Sequence, residues 1–300
     1  MIMIYDRKHQ AVHEEKVVGS VFLKFLYETP VGAPFRHLLR RKAFSAFYGY
    51  LMDRPFSRRL IPGFVRDNGI HLEEAVKKMA DFENFNDFFI RELNTGARPF
   101  SAHPLAFPSP ADARLLALPN LKTDQVLQIK GMTYDLGELL GDDESARRYD
   151  GGTALVFRLN PQDYHRFHYM DDGMAEETQE IPGWYYSVNP MALRKVPRLY
   201  VQNKRSITPF VSDHFGTLTY VEVGATNVGT ILQTRLPHTR IHRGEEKGYF
   251  KFGGSTVILF VEKGQLTVDQ DILAQSASGV ETRVLCGETV GRHPLASQDT

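Results

Sequence analysis

An α+β fold, with N-terminal helices packed on a predominantly antiparallel β core, follows from three features of this 300-residue sequence. Apolar residues recur at helical spacing through the first third. Past a Pro-rich passage, Pro99 to Pro110, the pattern changes to short runs of Val, Leu, Ile, Thr and Tyr bounded by Gly, Asn, Asp or Pro. The apolar content, 42%, is enough to fill one large core or two modest ones.

In chain order, Val17, Val18, Val21, Phe22, Phe25 and Leu26 form one helical stripe, and Leu38, Leu39, Ala43, Ala46, Phe47, Tyr50 and Leu51 another. Pro30, Pro34, Pro55 and Pro62 punctuate them, so several short helices are expected rather than one rod. A further helix is expected from about Leu72 to Leu93, broken near Asp81, with Phe85, Phe88, Phe89 and Leu93 on its buried side. Strands are expected at Ala113–Leu118, Gln125–Lys130, Thr153–Leu159, Gly216–Val223, Gly229–Leu236, Ser255–Val261 and Thr282–Cys286. This divides the chain into a helical region, 1–98, and a β-rich domain, 99–300. No internal repeat or low-complexity tract interrupts the pattern.

Charge narrows the function. Lys plus Arg equals Asp plus Glu, 36 each, so no net charge steers the molecule to nucleic acid. Residues 1–70 nevertheless hold twelve basic and six acidic side chains, a net of plus six that the remainder cancels. Arg36, Arg40, Arg41, Lys42, Arg54, Arg58 and Arg59 lie among aromatic and aliphatic positions, which suits an anionic membrane surface as well as a solvated helical face. The single cysteine, Cys286, excludes an internal disulfide and a thiolate zinc cage, and a reducing cytosol is expected. The longest strongly apolar run, Val257 to Val261, is far short of the ~18 residues that cross a bilayer. Met1 to Lys16 is too charged for a secretory signal, so an intracellular protein is expected.

Three segments carry candidate chemistry. In Phe252-Gly253-Gly254-Ser255-Thr256-Val257, a Cβ-free hinge meets a rigid apolar strand. A Ser255 hydroxyl aimed at the Gly254 carbonyl can attack it and convert the peptide to an ester. Loss of the serine α proton then expels the ester and leaves dehydroalanine, which hydrolyses to a pyruvoyl group. Taken alone the tetrapeptide is also ordinary turn chemistry, and it lacks the second glycine of a hydrolase elbow. In Asp163-Tyr164-His165-Arg166-Phe167-His168, two imidazoles three residues apart suit proton transfer, metal binding or a structural role. His238 and His242 are four apart, but no HExxH accompanies them and no metal site is expected. In Pro110-Ala111-Asp112, the carboxylate is either a turn residue or the orienter of a histidine in an Asp-His-Ser relay.

In series, these segments resemble the phosphatidylserine decarboxylase family of pyruvoyl enzymes over about Phe82 to Gly291. Phe88-Phe89-Ile90-Arg91-Glu92-Leu93 running to Gly96-Ala97-Arg98-Pro99 matches its entry motif. Pro110-Ala111-Asp112, Lys130 to Leu136 with Leu139-Leu140-Gly141, Asp163 to His168, Val223-Gly224-Ala225 with Val228-Gly229, and Gly244 to Phe250 leading into Gly253 to Thr256 follow in order. The resemblance implies self-cleavage between Gly254 and Ser255, giving a β chain of residues 1–254 and an α chain of 46 residues headed by a pyruvoyl cofactor derived from Ser255. It implies that Asp112, His168 and Ser255 form the maturation relay and that His165 serves decarboxylation. The pyruvoyl ketone would form a Schiff base with phosphatidylserine, releasing carbon dioxide and then phosphatidylethanolamine. A soluble amino acid is the alternative substrate, and an inactive membrane-binding module the more distant alternative. The resemblance also suggests a homodimer and a peripheral location on the cytoplasmic face of the membrane. Two residues depart from the family's pattern: Ala113 stands where glycine is common, and Gly253 where a bulky apolar residue is usual.

Overall fold

The computed structural model describes residues 2–124, 126–129, 132–226, 231–253 and 255–297. An eleven-stranded sheet organises the molecule. Its order is Arg240–Ile241, Gly173–Ala175, Arg205–Ser212, Thr217–Val223, Ser255–Val261, Thr153–Leu159, Ala113–Pro119, Glu281–Val284, Met3–Asp6 and Ala11–Glu14, with Gln179–Ile181 added on Arg205–Ser212. Met3–Asp6 runs parallel to Glu281–Val284; the central pairings are antiparallel. The fold is α+β.

Both faces of the central strands are covered, which is why Ser255–Val261 is buried at every position. Side chains alternate across it. Val257, Leu259 and Val261 join Phe157, Phe167 and Phe250 in one core, whereas Ile258 and Phe260 join Val156 and Val221 in the other. Ser255, two residues before Val257, therefore belongs to the first face. A three-stranded sheet, Ile231–Gln233, Glu246–Phe250 and Arg166–His168, brings the second histidine alongside Glu246.

The helices of the first third are α1 (Ser20–Glu28), α2 (Gly32–Leu39), α3 (Lys42–Met52) and α4 (Ile61–Asn68). The prolines act as expected: Pro55 opens a 3₁₀ turn and Pro62 lies in the first turn of α4. The expected helix from Leu72 to Leu93 is not formed. The segment is a loop whose ends are tied together, since Val76 N–H donates to the Glu92 carbonyl at 3.0 Å and Asn94 N–H to that of Glu74 at 2.8 Å. Only α5, Phe85–Phe89, is helical within its second half, started by the Asn84 side chain accepting from Asp87 N–H. Its phenylalanines are buried as the spacing predicts, in a third core with Met52, Ile61 and Phe82 against which Phe252 packs.

The sequence pattern predicts no strand before Ala113, yet Met3–Asp6 and Ala11–Glu14 extend the main sheet and Ala106–Pro108 lies in a small one. Ala11–Glu14 is exposed throughout and has no buried face to impose a period of two. Of the expected Gln125–Lys130 and Gly229–Leu236, the strands Val126–Ile129 and Ile231–Gln233 are present; Gln125, Lys130 and Gly229 lie outside the described residues.

The N-terminal arm is fastened by charge. Glu15, fully buried at the end of the hairpin, bridges Arg114 at 2.6 Å and Arg158 at 2.8 Å and accepts from Asn160 at 3.1 Å. Both guanidiniums keep a second carboxylate, Asp163 for Arg114 and Glu281 for Arg158. Removing one member of such a buried network leaves charge uncompensated. Glu15→Ala should therefore lower stability by about 3 kcal/mol, measured by urea unfolding of the uncleaved Ser255→Ala protein.

Candidate active site

Strand register builds the site. Ser255 opens its strand directly opposite Leu159, and the chain that leaves Leu159 is the loop Asn160–His165. The first histidine is thus delivered to the head of the serine strand. Phe250 N–H donates to the His165 carbonyl at 3.0 Å, fastening the segment that precedes the two glycines to the same loop.

Ser255 is fully buried, and its Oγ has no hydrogen-bond partner among the described residues. Gly253 before it has φ +144°, a conformation that only glycine adopts without strain. That accounts for the departure from a bulky residue at this position. Gly254, the other side of the expected cleavage point, lies outside the described residues, as do Lys130, Gly131, Val228 and Gly229 of the matching motifs.

His165 is also fully buried. Its Nδ1 lies 3.0 Å from the Asp163 carbonyl. A carbonyl only accepts, so Nδ1 carries the proton and Nε2 carries the lone pair. The Gly253 backbone lies beside the ring, yet Nε2 has no well-aligned partner among the described residues. Phe89 packs on the imidazole at 3.9 Å between ring centres. Burial, with a smaller contribution from the Arg91 and Arg114 charges, pushes the His165 pKa down to about 3. The ring is a neutral base at physiological pH.

His168 is held differently. Its Nδ1 faces the Gly244 carbonyl at 2.9 Å and its Nε2 the Tyr164 hydroxyl at 3.1 Å. Nδ1 is the donor and Tyr164 O–H donates to Nε2. Burial lowers its pKa as well. Asp112, nearly buried, takes a two-pronged ion pair from Arg98, at 2.8 and 2.7 Å, and the Cys286 N–H at 2.8 Å. His168 N–H donates to the carbonyl of Pro110, two residues before Asp112, at 2.8 Å. The side chains of Asp112, His168 and Ser255 are not joined in a hydrogen-bonded relay in this structure. Ala113, where glycine is common, begins a strand without positive φ, so alanine strains nothing.

Sequence reasoning singles out neither Arg98 nor Tyr164 as a partner. Both stand within the matching motifs, Gly96 to Pro99 and Asp163 to His168, but nothing in linear spacing shows that Arg98 reaches Asp112 or that Tyr164 reaches back to His168. Among the described residues there is no cluster of His, Cys, Asp or Glu that suits a metal ion.

This is an α+β protein in which a buried serine heads a core strand and a buried, neutral histidine lies in the loop after the neighbouring strand. Comparison with known proteins gives the family. Residues 85–292 match the family model described as phosphatidylserine decarboxylase. The chain is 49% identical over 292 residues to a phosphatidylserine decarboxylase proenzyme of Clostridium novyi (strain NT), covering 97% of this chain and 99% of that one. It is 48% identical over 296 residues to the proenzyme of the same name from Clostridium botulinum (strain Eklund 17B / Type B), covering 98% and 100%. A proenzyme of that name from Ruminiclostridium cellulolyticum is 47% identical, covering 97% of each chain. This chain belongs to the phosphatidylserine decarboxylase family.

The depressed imidazoles fix a direction for acid sensitivity. In the unfolded chain a histidine binds its proton near pH 6.5, whereas folded His165 stays neutral down to about 3. Between these values the unfolded state holds more protons, so stability falls as pH falls through that window. Urea unfolding of Ser255→Ala from pH 7 to pH 4 should show the decline, with a shallower slope once His165→Gln is added.

Proposed function

We propose that this chain is a self-cleaving phosphatidylserine decarboxylase whose cofactor is a pyruvoyl group made from Ser255. The observation that carries the reading is the buried, unpartnered Ser255 hydroxyl at the head of a rigid strand, preceded by a glycine in a conformation closed to other residues. Family membership supports it.

In maturation the Ser255 oxygen adds to the Gly254 carbonyl carbon, and the C–N bond breaks as the ester C–O bond forms. Removal of the Ser255 α proton expels Gly254 as a carboxylate. Water then displaces the nitrogen, which leaves as ammonia, and a keto group remains. The residues present fit that precursor role, since the hydroxyl is shielded from bulk water and has no partner among the described residues. Once formed, the keto group supplies an electrophile for the substrate amine and a sink for the electrons released with carbon dioxide.

Asp112 and His168 serve maturation in this reading. The relay requires their side chains to exchange partners: His168 leaves Tyr164, and Asp112 leaves Arg98. His165 serves turnover. It is neutral and wedged under Phe89, and its Nε2 lone pair would take the proton that the substrate ammonium loses on condensing with the keto group and return it to the carbon that has lost its carboxyl group. Variants separate the two roles. Ser255→Ala and His168→Ala should remain single chains on denaturing electrophoresis. His165→Ala should still split, with carbon dioxide release from phosphatidylserine vesicles reduced about 10²- to 10⁴-fold. An uncut His165→Ala chain would move the maturation base to His165, and release from free amino acids but not from vesicles would remove the lipid substrate.

Peripheral attachment to an anionic bilayer is part of the same reading. Phe22, Phe35, Leu38, Phe47, Tyr50, Phe56 and Leu60 are exposed on α1 to α3 and the turn that follows. Exposed Arg41, Lys42, Arg54, Arg58 and Arg59 stand among them. No helix of the described residues is long and apolar enough to cross a membrane. At about 1 kcal/mol per basic side chain near such a surface, this patch supports salt-sensitive binding. Co-sedimentation with anionic vesicles should fall sharply when Arg41, Lys42, Arg58 and Arg59 are changed to Gln, and unchanged partitioning would count against this face.

A further inference from the structure

Arg91 is a buried cation with no assigned work. It follows α5, is 6% exposed, and lays its guanidinium over the Phe88 ring at 5.2 Å. A buried arginine ordinarily sits against a carboxylate, because unpaired charge in a low-dielectric interior is costly. Here Nη2 donates instead to two successive backbone carbonyls, Gln162 at 3.2 Å and Asp163 at 3.1 Å, and Nη1 has no partner among the described residues. Desolvation accordingly lowers the Arg91 pKa, with Asp112 and Asp163 opposing it.

The Asp163 carbonyl is the significant contact. It is the same oxygen that accepts the Nδ1 proton of His165. Asp163 is held from its other end as well, its carboxylate paired with Arg114 and accepting the Asn160 N–H at 2.6 Å. The turn that orients the imidazole is therefore clamped by two guanidiniums, one on its carbonyls and one on its side chain. Arg91 also joins the two halves of the site, since Phe89, which covers the His165 ring, is two residues before it in the chain.

We propose that Arg91 is a positioning residue for His165: by fixing the Gln162 and Asp163 carbonyls it holds the imidazole in the Nδ1–H form, with the Gly253 backbone beside the ring. A smaller effect is electrostatic. The charged groups acting on His165 are Arg91 from the segment after α5 and Arg114 from the Ala113–Pro119 strand, both of which disfavour an imidazolium, as burial does more strongly; the Asp163 and Gly253 backbones favour it, and the Phe89 ring packs on the imidazole. Loss of the Arg91 charge therefore raises the pH at which His165 takes a proton. The catalytic consequence rests on the decarboxylase reading above; the tautomer and the titration do not.

The experiment has two arms. In the uncleaved Ser255→Ala protein, nitrogen NMR of histidine-labelled material should show His165 as the Nδ1–H tautomer, not titrating between pH 7 and 5. With Arg91→Gln added, the Nδ1–H form should give way to a mixture of tautomers and the His165 midpoint should rise while staying well below 6.5, because burial remains, whereas Arg91→Lys, which keeps the charge, should change both less. In the mature enzyme, Arg91→Gln should lower kcat by about 10- to 100-fold through misplacement of the ring, with KM little changed, and Arg91→Lys should recover part of the loss. An Nε2–H tautomer, or a His165 midpoint near 6.5 with Arg91 intact, overturns the proposal without any variant having to fold. So does an unchanged tautomer population in Arg91→Gln. Absence of decarboxylation by the wild-type enzyme, with the NMR results as expected, would instead count against the functional reading alone.

Discussion

The antiparallel pairing of Ser255–Val261 with Thr153–Leu159 is the constraint on which the site depends. Both strands are buried along their whole length, so a slip of one residue would turn every side chain to the wrong core. Register is therefore fixed by hydrophobic packing, and its last pair is Ser255 with Leu159. Because the chain after Leu159 turns at once into the Asn160–His165 loop, an arrangement specified by apolar side chains sets where the loop that carries His165 begins relative to Ser255.

Polar groups around that junction divide into satisfied and unsatisfied ones. Asp112 has a guanidinium and an N–H, and His168 has a carbonyl and a phenol. Glu15, Arg114, Arg158 and Asp163 form one buried network. Ser255 Oγ and His165 Nε2 belong to a set of buried atoms without partners among the described residues that also includes Arg91 Nη1, Gln162 Oε1 and Thr256 Oγ1. A buried hydroxyl or imidazole nitrogen without a hydrogen bond costs about 1–3 kcal/mol. In the proposed reading, Ser255 and His165 are the two for which that cost has a chemical use.

Much of this is legible in the residues. The strand at Ser255–Val261 is readable because β-branched and aromatic side chains run unbroken after two glycines. The phenylalanine stripe at 85, 88 and 89 is readable because it keeps helical spacing, although the helix itself shrinks to α5 where the loop ends zip together. The Ala11–Glu14 strand is not readable, since an exposed edge strand imposes no pattern. In the site, Asp112, His165, His168 and Ser255 are recognisable as chemical types in matching motifs. Their partners are not: Arg98 meets Asp112 across 14 residues, Arg91 meets Asp163 across 72, and Glu15 meets Arg158 across 143. Such contacts are products of sheet order and carry no trace in local spacing.

Intact-mass spectrometry of the purified wild-type protein tests the central claim most directly. Two species are expected, one equal to residues 1–254 and one equal to residues 255–300 less one ammonia, the latter resistant to amino-terminal sequencing. A single uncut chain that nonetheless releases carbon dioxide from phosphatidylserine would contradict the role given to Ser255.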